Sequence, residues 1–133
     1  MTAETIGIIG QGFVGTAIRE GMKNHFHIET YDKFKEETST CSSLKELCKK
    51  ANIVFACLPT PMKRTGECDL RIIERTVKEI NSFDLGNIVV IKSTVIPGTT
   101  ERLNRECYNI QVVFNPEFLT EANALEDMRN QTR

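Results

Sequence analysis

Short apolar runs alternate with helix-period stretches along most of the chain. Ile6, Ile8 and Ile9 form a run ending at Gly10 that is too short for a helix and suits a strand buried on both faces. Val14, Ala17, Ile18, Gly21 and Met22 then fall at i, i+3, i+4, i+7 and i+8, the spacing of one helical face. Residues 28–31, rich in β-branched and aromatic types, predict a second strand that ends at Asp32 and gives way to a polar loop over 33–43. Ser43 and Glu46 have capping-box spacing, and Leu44, Leu47, Cys48 and Ala51 repeat at helical intervals behind them. The apolar run 53–58 predicts a third strand, stopped by Pro59 and Pro61, which have no amide hydrogen for a sheet. After a loop, Asp69 is placed to cap a helix with Leu70, Ile73, Val77 and Ile80 on its inner stripe, and 88–91 predict strand four. Pro97 and Gly98 open a turn, Thr99 or Thr100 is placed to cap a helix carrying Leu103 and Cys107, and 112–114 predict strand five.

This alternation predicts an α/β fold, a Rossmann-type doubly wound parallel sheet, for which we expect the strand order 3-2-1-4-5. A length of 133 residues suits one domain over 1–133, and 40% hydrophobic with 26% charged residues is an ordinary globular balance. Seventeen Lys and Arg against eighteen Asp and Glu leave a net charge of −1, without the one-signed surplus of a nucleic-acid or anionic-membrane binder. No apolar run approaches the roughly 18 residues of a membrane span, and the N-terminus shows no basic leader or cleavage-like site, so a soluble cytoplasmic protein is expected. Five cysteines, an odd number without a C-x-x-C pair, read as reduced thiols rather than a disulfide framework or zinc knuckle. His25 and His27 lack a third ligand nearby and read as structural or surface histidines, so no metal is expected.

Ligands of open parallel sheets bind beyond the C-terminal ends of the strands, which directs attention to the residues after each run. After strand one comes a G-x-G-x-x-G made by Gly10, Gln11, Gly12, Phe13, Val14 and Gly15. Gly10 permits the tight turn, Gly12 lets backbone amides approach a pyrophosphate, and Gly15 lets the helix pack closely on the sheet. Asp32 follows Gly10 by 22 residues and Gly15 by 17, bracketing the roughly 20 expected of the acid that holds an adenosine ribose. Such an acid favours NAD over NADP, a preference tempered by Lys33 and Lys35 beside it. Alone, the glycines make an ordinary strand-to-helix turn; with strand, helix and acid in place they predict a cofactor site. Pro59 and Thr60 would pass beside the cofactor, although by themselves they read as a loop. Ser93 and Thr94 offer hydroxyls where nicotinamide and substrate would meet, and equally suit turn and capping roles. Glu117 and Glu121 share a face if their segment is helical, as acid/base carboxylates or as a solvated surface.

Taken together, the glycine loop, Leu58-Pro-Thr-Pro61, residues 66–70, Lys92-Ser-Thr-Val-Ile-Pro-Gly-Thr-Thr100 and Asn115-Pro-Glu-Phe-Leu-Thr-Glu121 resemble the UDP-glucose/GDP-mannose dehydrogenase family, over about residues 6–127. The resemblance implies the N-terminal NAD-binding domain of an enzyme that oxidises the C6 alcohol of a nucleotide sugar, UDP-glucose first among candidates, through a covalent thioester. It implies that Thr94 helps place the hydrolytic water and that Glu117 assists as base. It places the backbone of Phe118, Leu119, Thr120 and Glu121 against the nucleotide sugar, with Glu121 near the cofactor. The family's cysteine nucleophile, catalytic lysine and asparagine, central dimer helix and sugar-binding C-terminal domain have no counterpart here, so this chain alone is expected not to complete the oxidation. A homodimer, or a missing C-terminal half, is the implied partner. A GDP-mannose or N-acetylated UDP-sugar enzyme and a free-standing NAD-binding module are the alternatives.

Overall fold

The computed structural model describes residues 4–115. In chain order the elements are β1 (Thr5–Ile9), α1 (Phe13–Met22), β2 (His27–Tyr31), α2 (Leu44–Lys50), β3 (Ile53–Ala56), α3 (Arg71–Ser82), β4 (Ile88–Ile91), α4 (Thr99–Glu106) and β5 (Gln111–Phe114). A short 3-10 turn, Glu36–Thr38, lies within the polar loop after β2. The strands form one sheet in which every neighbour is parallel.

The α/β doubly wound class is as expected, but the third strand sits elsewhere. The order is β2-β1-β3-β4-β5, not 3-2-1-4-5. Strand composition explains the difference. β2 reads HIETY and carries His27 and Glu29, which suits an edge with one solvated side, whereas β3 reads IVFA and suits a position between two partners. Gly7 of β1 supplies the space for this arrangement, because a Cβ there would lie 2.8 Å from Val54 and 3.2 Å from Leu47. Thus α2 lies over β1 and β3 docks beside it. Right-handed crossovers then put α1 on one face of the sheet and α2, α3 and α4 on the other. The main core joins Leu47, Ile73, Val77 and Leu103 to Ile9, Val54, Ala56 and Ile91, while Ile8 of β1 and Ala17 and Ile18 of α1 are buried outside it.

Helix starts follow the sequence in one case and depart from it in two. Ser43 caps α2, its hydroxyl accepting from Glu46 N at 3.1 Å, and the Glu46 carboxylate accepts from Ser42 N. Asp69 stands one residue outside α3, whose N-cap is Leu70; its carboxylate accepts from Arg71 N at 3.1 Å and grips the Arg71 guanidinium at 2.7 Å. Neither Thr99 nor Thr100 caps α4, because Gly98, at φ 89°, turns the chain into the helix and makes Thr99 its first residue. Strand β3 stops at Ala56 rather than at residue 58, as the chain turns toward Pro59. Among the described residues no helix is long and apolar enough to cross a membrane, and His27 pairs with Glu29 at 2.6 Å.

Candidate functional site

From β1 the chain crosses to β2 on one side, and from β3 it moves to β4 on the other, so the strand order reverses between β1 and β3. A crevice opens at such a reversal. Here it is a cleft of about 950 Å³ reaching from the glycine loop and Asp32 to Ser93 and Thr94, at the upper end of small-ligand sites.

Gly10 takes φ 95°, and a Cβ on it would lie 2.3 Å from the Cys57 carbonyl oxygen, so the loops after β1 and β3 touch through its missing side chain. A Cβ on Gly15 would lie 1.9 Å from the Gly10 carbonyl oxygen, which makes helix α1 dependent on that glycine for its approach. Gly12 differs, because a Cβ there would meet nothing within 4 Å. It faces open space at the start of α1, where no side chain caps the first amides and no acid occupies the first turn. Those amides are left for an anion. One glycine turns, one packs and one opens, which is the division a pyrophosphate cradle requires.

Asp32 stands across this loop. Its Oδ2 accepts from Gln11 N at 2.7 Å and its Oδ1 from Phe34 N at 2.9 Å, so backbone amides orient the carboxylate at the cleft. Gln11 is buried, its side-chain Nε2 donating to the Gly10 carbonyl at 3.0 Å, and it stiffens the loop from beneath. Phe13, Val14, Lys33, Pro59 and Thr60 line the cleft. Ser93 also lines it, but its hydroxyl is occupied, accepting from Leu58 N at 3.0 Å and donating to the Leu58 carbonyl. It ties the loops after β3 and β4 together. Cys68 ties the same two loops, its thiol 3.6 Å from both the Thr60 and Thr94 carbonyl oxygens. Thr94 lies exposed at the cleft, while Glu117, Phe118, Leu119 and Glu121 lie outside the described residues.

The structure adds residues that strand ends did not reveal. Ile72, Arg75, Thr76 and Glu79 of α3 form a wall of the cleft, and Tyr31 lines it with Asp32, as does Lys35, already noted beside that acid. The α3 residues fall at i, i+3, i+4 and i+7, a second stripe beside the inward one, and Ile72 among polar neighbours was its signal. Lys92 is buried at the end of β4 and donates to Asn115 Oδ1 at 2.9 Å. Among the thiols, burial pushes Cys48 up to about 12 and raises Cys41 and Cys107, leaving all three protonated and non-nucleophilic at neutral pH.

Residues 28–133 match the family model for the UDP-glucose/GDP-mannose dehydrogenase family, NAD binding domain. The chain belongs to this family. The UDP-glucose 6-dehydrogenase TuaD of Bacillus subtilis is 34% identical over 93 residues, 64% of this chain and 20% of that protein. The GDP-mannose 6-dehydrogenase of Pseudomonas aeruginosa is 32% identical over 103 residues, 67% of this chain and 24% of that protein. A UDP-glucose dehydrogenase structure from the archaeon Pyrobaculum islandicum superposes with a TM-score of 0.82 at 26% identity, covering 96% of this chain and 38% of that one. The chain therefore spans a quarter or less of these two curated relatives. The family match starts in β2, so the glycine loop stands ahead of it and rests on its own geometry. In this family the domain's cofactor is NAD, and the open Gly12, the uncapped start of α1 and the oriented Asp32 fit that cofactor.

Proposed function

We propose that this chain is the cofactor-holding part of a nucleotide-sugar dehydrogenase of the UDP-glucose 6-dehydrogenase type. The observation that carries the proposal is the pairing of a glycine loop open only at Gly12 with an Asp32 carboxylate held by the amide of Gln11. Bound NAD supplies the hydride acceptor. The loop from Gly10 to Gly15 and the start of α1 take its pyrophosphate, Asp32 accepts from the adenosine ribose hydroxyls, and Pro59 and Thr60 flank its path. Ser93 holds the wall by binding Leu58, and by resemblance Thr94, exposed at the cleft, helps place the hydrolytic water. By resemblance Glu117 serves as base, and Phe118, Leu119 and Glu121 meet the sugar nucleotide. None of the five cysteines stands in the glycine-rich surroundings of the family's nucleophile, so turnover requires a further part that supplies it.

Relatives named for UDP-glucose and for GDP-mannose match at 34% and 32% identity, which supports the substrate class more than either member. Calorimetric titration of the chain with NAD, with and without UDP-glucose, tests the proposal. Saturable NAD binding indifferent to UDP-glucose, with turnover appearing only when a separately made C-terminal half is mixed in, is the expected result. Absence of NAD binding would sink it.

A further inference from the structure

We infer that Phe34 is the stacking platform for the cofactor's adenine, an aromatic ring that the loop after β2 holds out for the base. This rests on the cofactor site proposed above.

Phe34 is 86% exposed, yet a single exposed apolar side chain needs no explanation by itself. Tyr108 at 88% and Met62 at 77% are as bare, and neither lines the cleft. Phe34 differs in place and in footing. It lines the cleft with Asp32, Lys33 and Lys35, and its N–H donates to Asp32 Oδ1 at 2.9 Å. The residue after it is tied down as well: Lys35 N donates to the Asp32 carbonyl at 3.3 Å, Lys35 Nζ donates to the Gln11 carbonyl at 3.2 Å, and the Lys35 carbonyl accepts from Thr38 N at 3.1 Å. Asp32 N donates in turn to Ser39 Oγ at 2.8 Å. The backbone that carries the ring is closed by these bonds, so little ordering remains to oppose a ligand that lands on it.

The position of Asp32 identifies that ligand. A carboxylate offers about four acceptor sites, of which the Gln11 and Phe34 amides take two, leaving the others for ribose hydroxyls. The base is joined to the same ribose, so it lies within one sugar ring of the residue whose amide touches the carboxylate. A purine presents a flat π face there, and an aromatic ring covers such a face without requiring a hydrogen bond from it. Lys33 Nζ stands over the Phe34 ring at 5.8 Å from its centre, close to the outer limit of about 6 Å for a cation–π contact. It holds one face of the ring loosely, and the base takes the other.

The sequence contains no tryptophan, so Phe34→Trp places a single indole at the position in question. The full chain with this substitution is titrated with NAD, with ADP-ribose, which lacks the nicotinamide, and with nicotinamide mononucleotide, which lacks the adenosine. NAD and ADP-ribose are expected to change the indole emission saturably, and nicotinamide mononucleotide to leave it unchanged. By calorimetry Phe34→Ala should weaken NAD and ADP-ribose by the same factor, about five- to a hundredfold, the range for losing a base–aromatic stack. Phe34→Tyr should keep both affinities, and the thermal midpoint of the free Phe34→Ala chain should not move. Calorimetric NAD binding to the Phe34→Trp chain with no change in emission would overturn the inference, as would a Phe34→Ala chain that binds NAD as tightly as the unsubstituted one. If the unsubstituted chain binds no NAD, the cofactor site itself falls and this inference with it.

Discussion

Gly12 and Gly15 stand three residues apart in one motif and make opposite demands. A side chain at Gly12 enters open space, so Gly12→Val should leave the fold intact while blocking the pyrophosphate approach. We expect unchanged circular dichroism and thermal midpoint with calorimetric NAD binding abolished. At Gly15 even a methyl group meets the Gly10 carbonyl at 1.9 Å, so Gly15→Ala should cost at least about 1–3 kcal/mol by overpacking and show as a lowered urea midpoint. The open space at Gly12 and the close packing at Gly15 were legible in the G-x-G-x-x-G spacing, because covalent spacing decides which glycine meets strand or helix and which is left open. The dependence of Gly10 on Cys57 was not legible, since the two are neighbours only once β3 lies beside β1.

Elements are bounded by local chemistry where a side chain reaches its own backbone. Ser43 does so for α2, and Ser43→Ala should cost about 1 kcal/mol in urea unfolding, the usual value of an N-cap hydroxyl. At α3 the cap position passed to Leu70, and Asp69 became an anchor for Arg71. The Arg71 guanidinium, with its backbone amide, holds the Asp69 carboxyl down to about 2 from an ordinary 3.8. A depressed carboxyl contributes its hold above its ordinary value and loses it as pH falls through the depressed one, so this contact should release between about 3.8 and 2. An NMR titration of the Asp69 carboxyl should show the low midpoint, and Arg71→Ala should return it toward 3.8. The helix start at Gly98 escaped sequence reasoning because two threonines offered hydroxyls there, while a left-handed glycine turned the chain one residue earlier.

For the whole molecule, the proposed NAD site links cofactor and fold, since it lies between loops that only the assembled sheet brings together. At a hundredfold its Kd, NAD should add about 2.7 kcal/mol and raise the calorimetric Tm by several degrees, and the Gly12→Val protein should show no rise. A Tm unmoved by saturating NAD in the unsubstituted chain would mean that the cleft does not bind it. The alternation of strand and helix, the inner faces of the helices and the glycine loop with Asp32 beside it were readable from the chain, because each depends on periodicity or spacing along it. The place of β3 was not, although HIETY against IVFA held the clue; an edge strand is defined by what lies beside it. Nor could periodicity show that Ser93 spends its hydroxyl on Leu58 or that Lys35 spans to Gln11. Sequence alone determined which chemistry this protein carries at the strand ends. Tertiary structure decided which of those groups face the cleft, because contacts between residues 20 to 40 positions apart arise only when the sheet order brings their strands together.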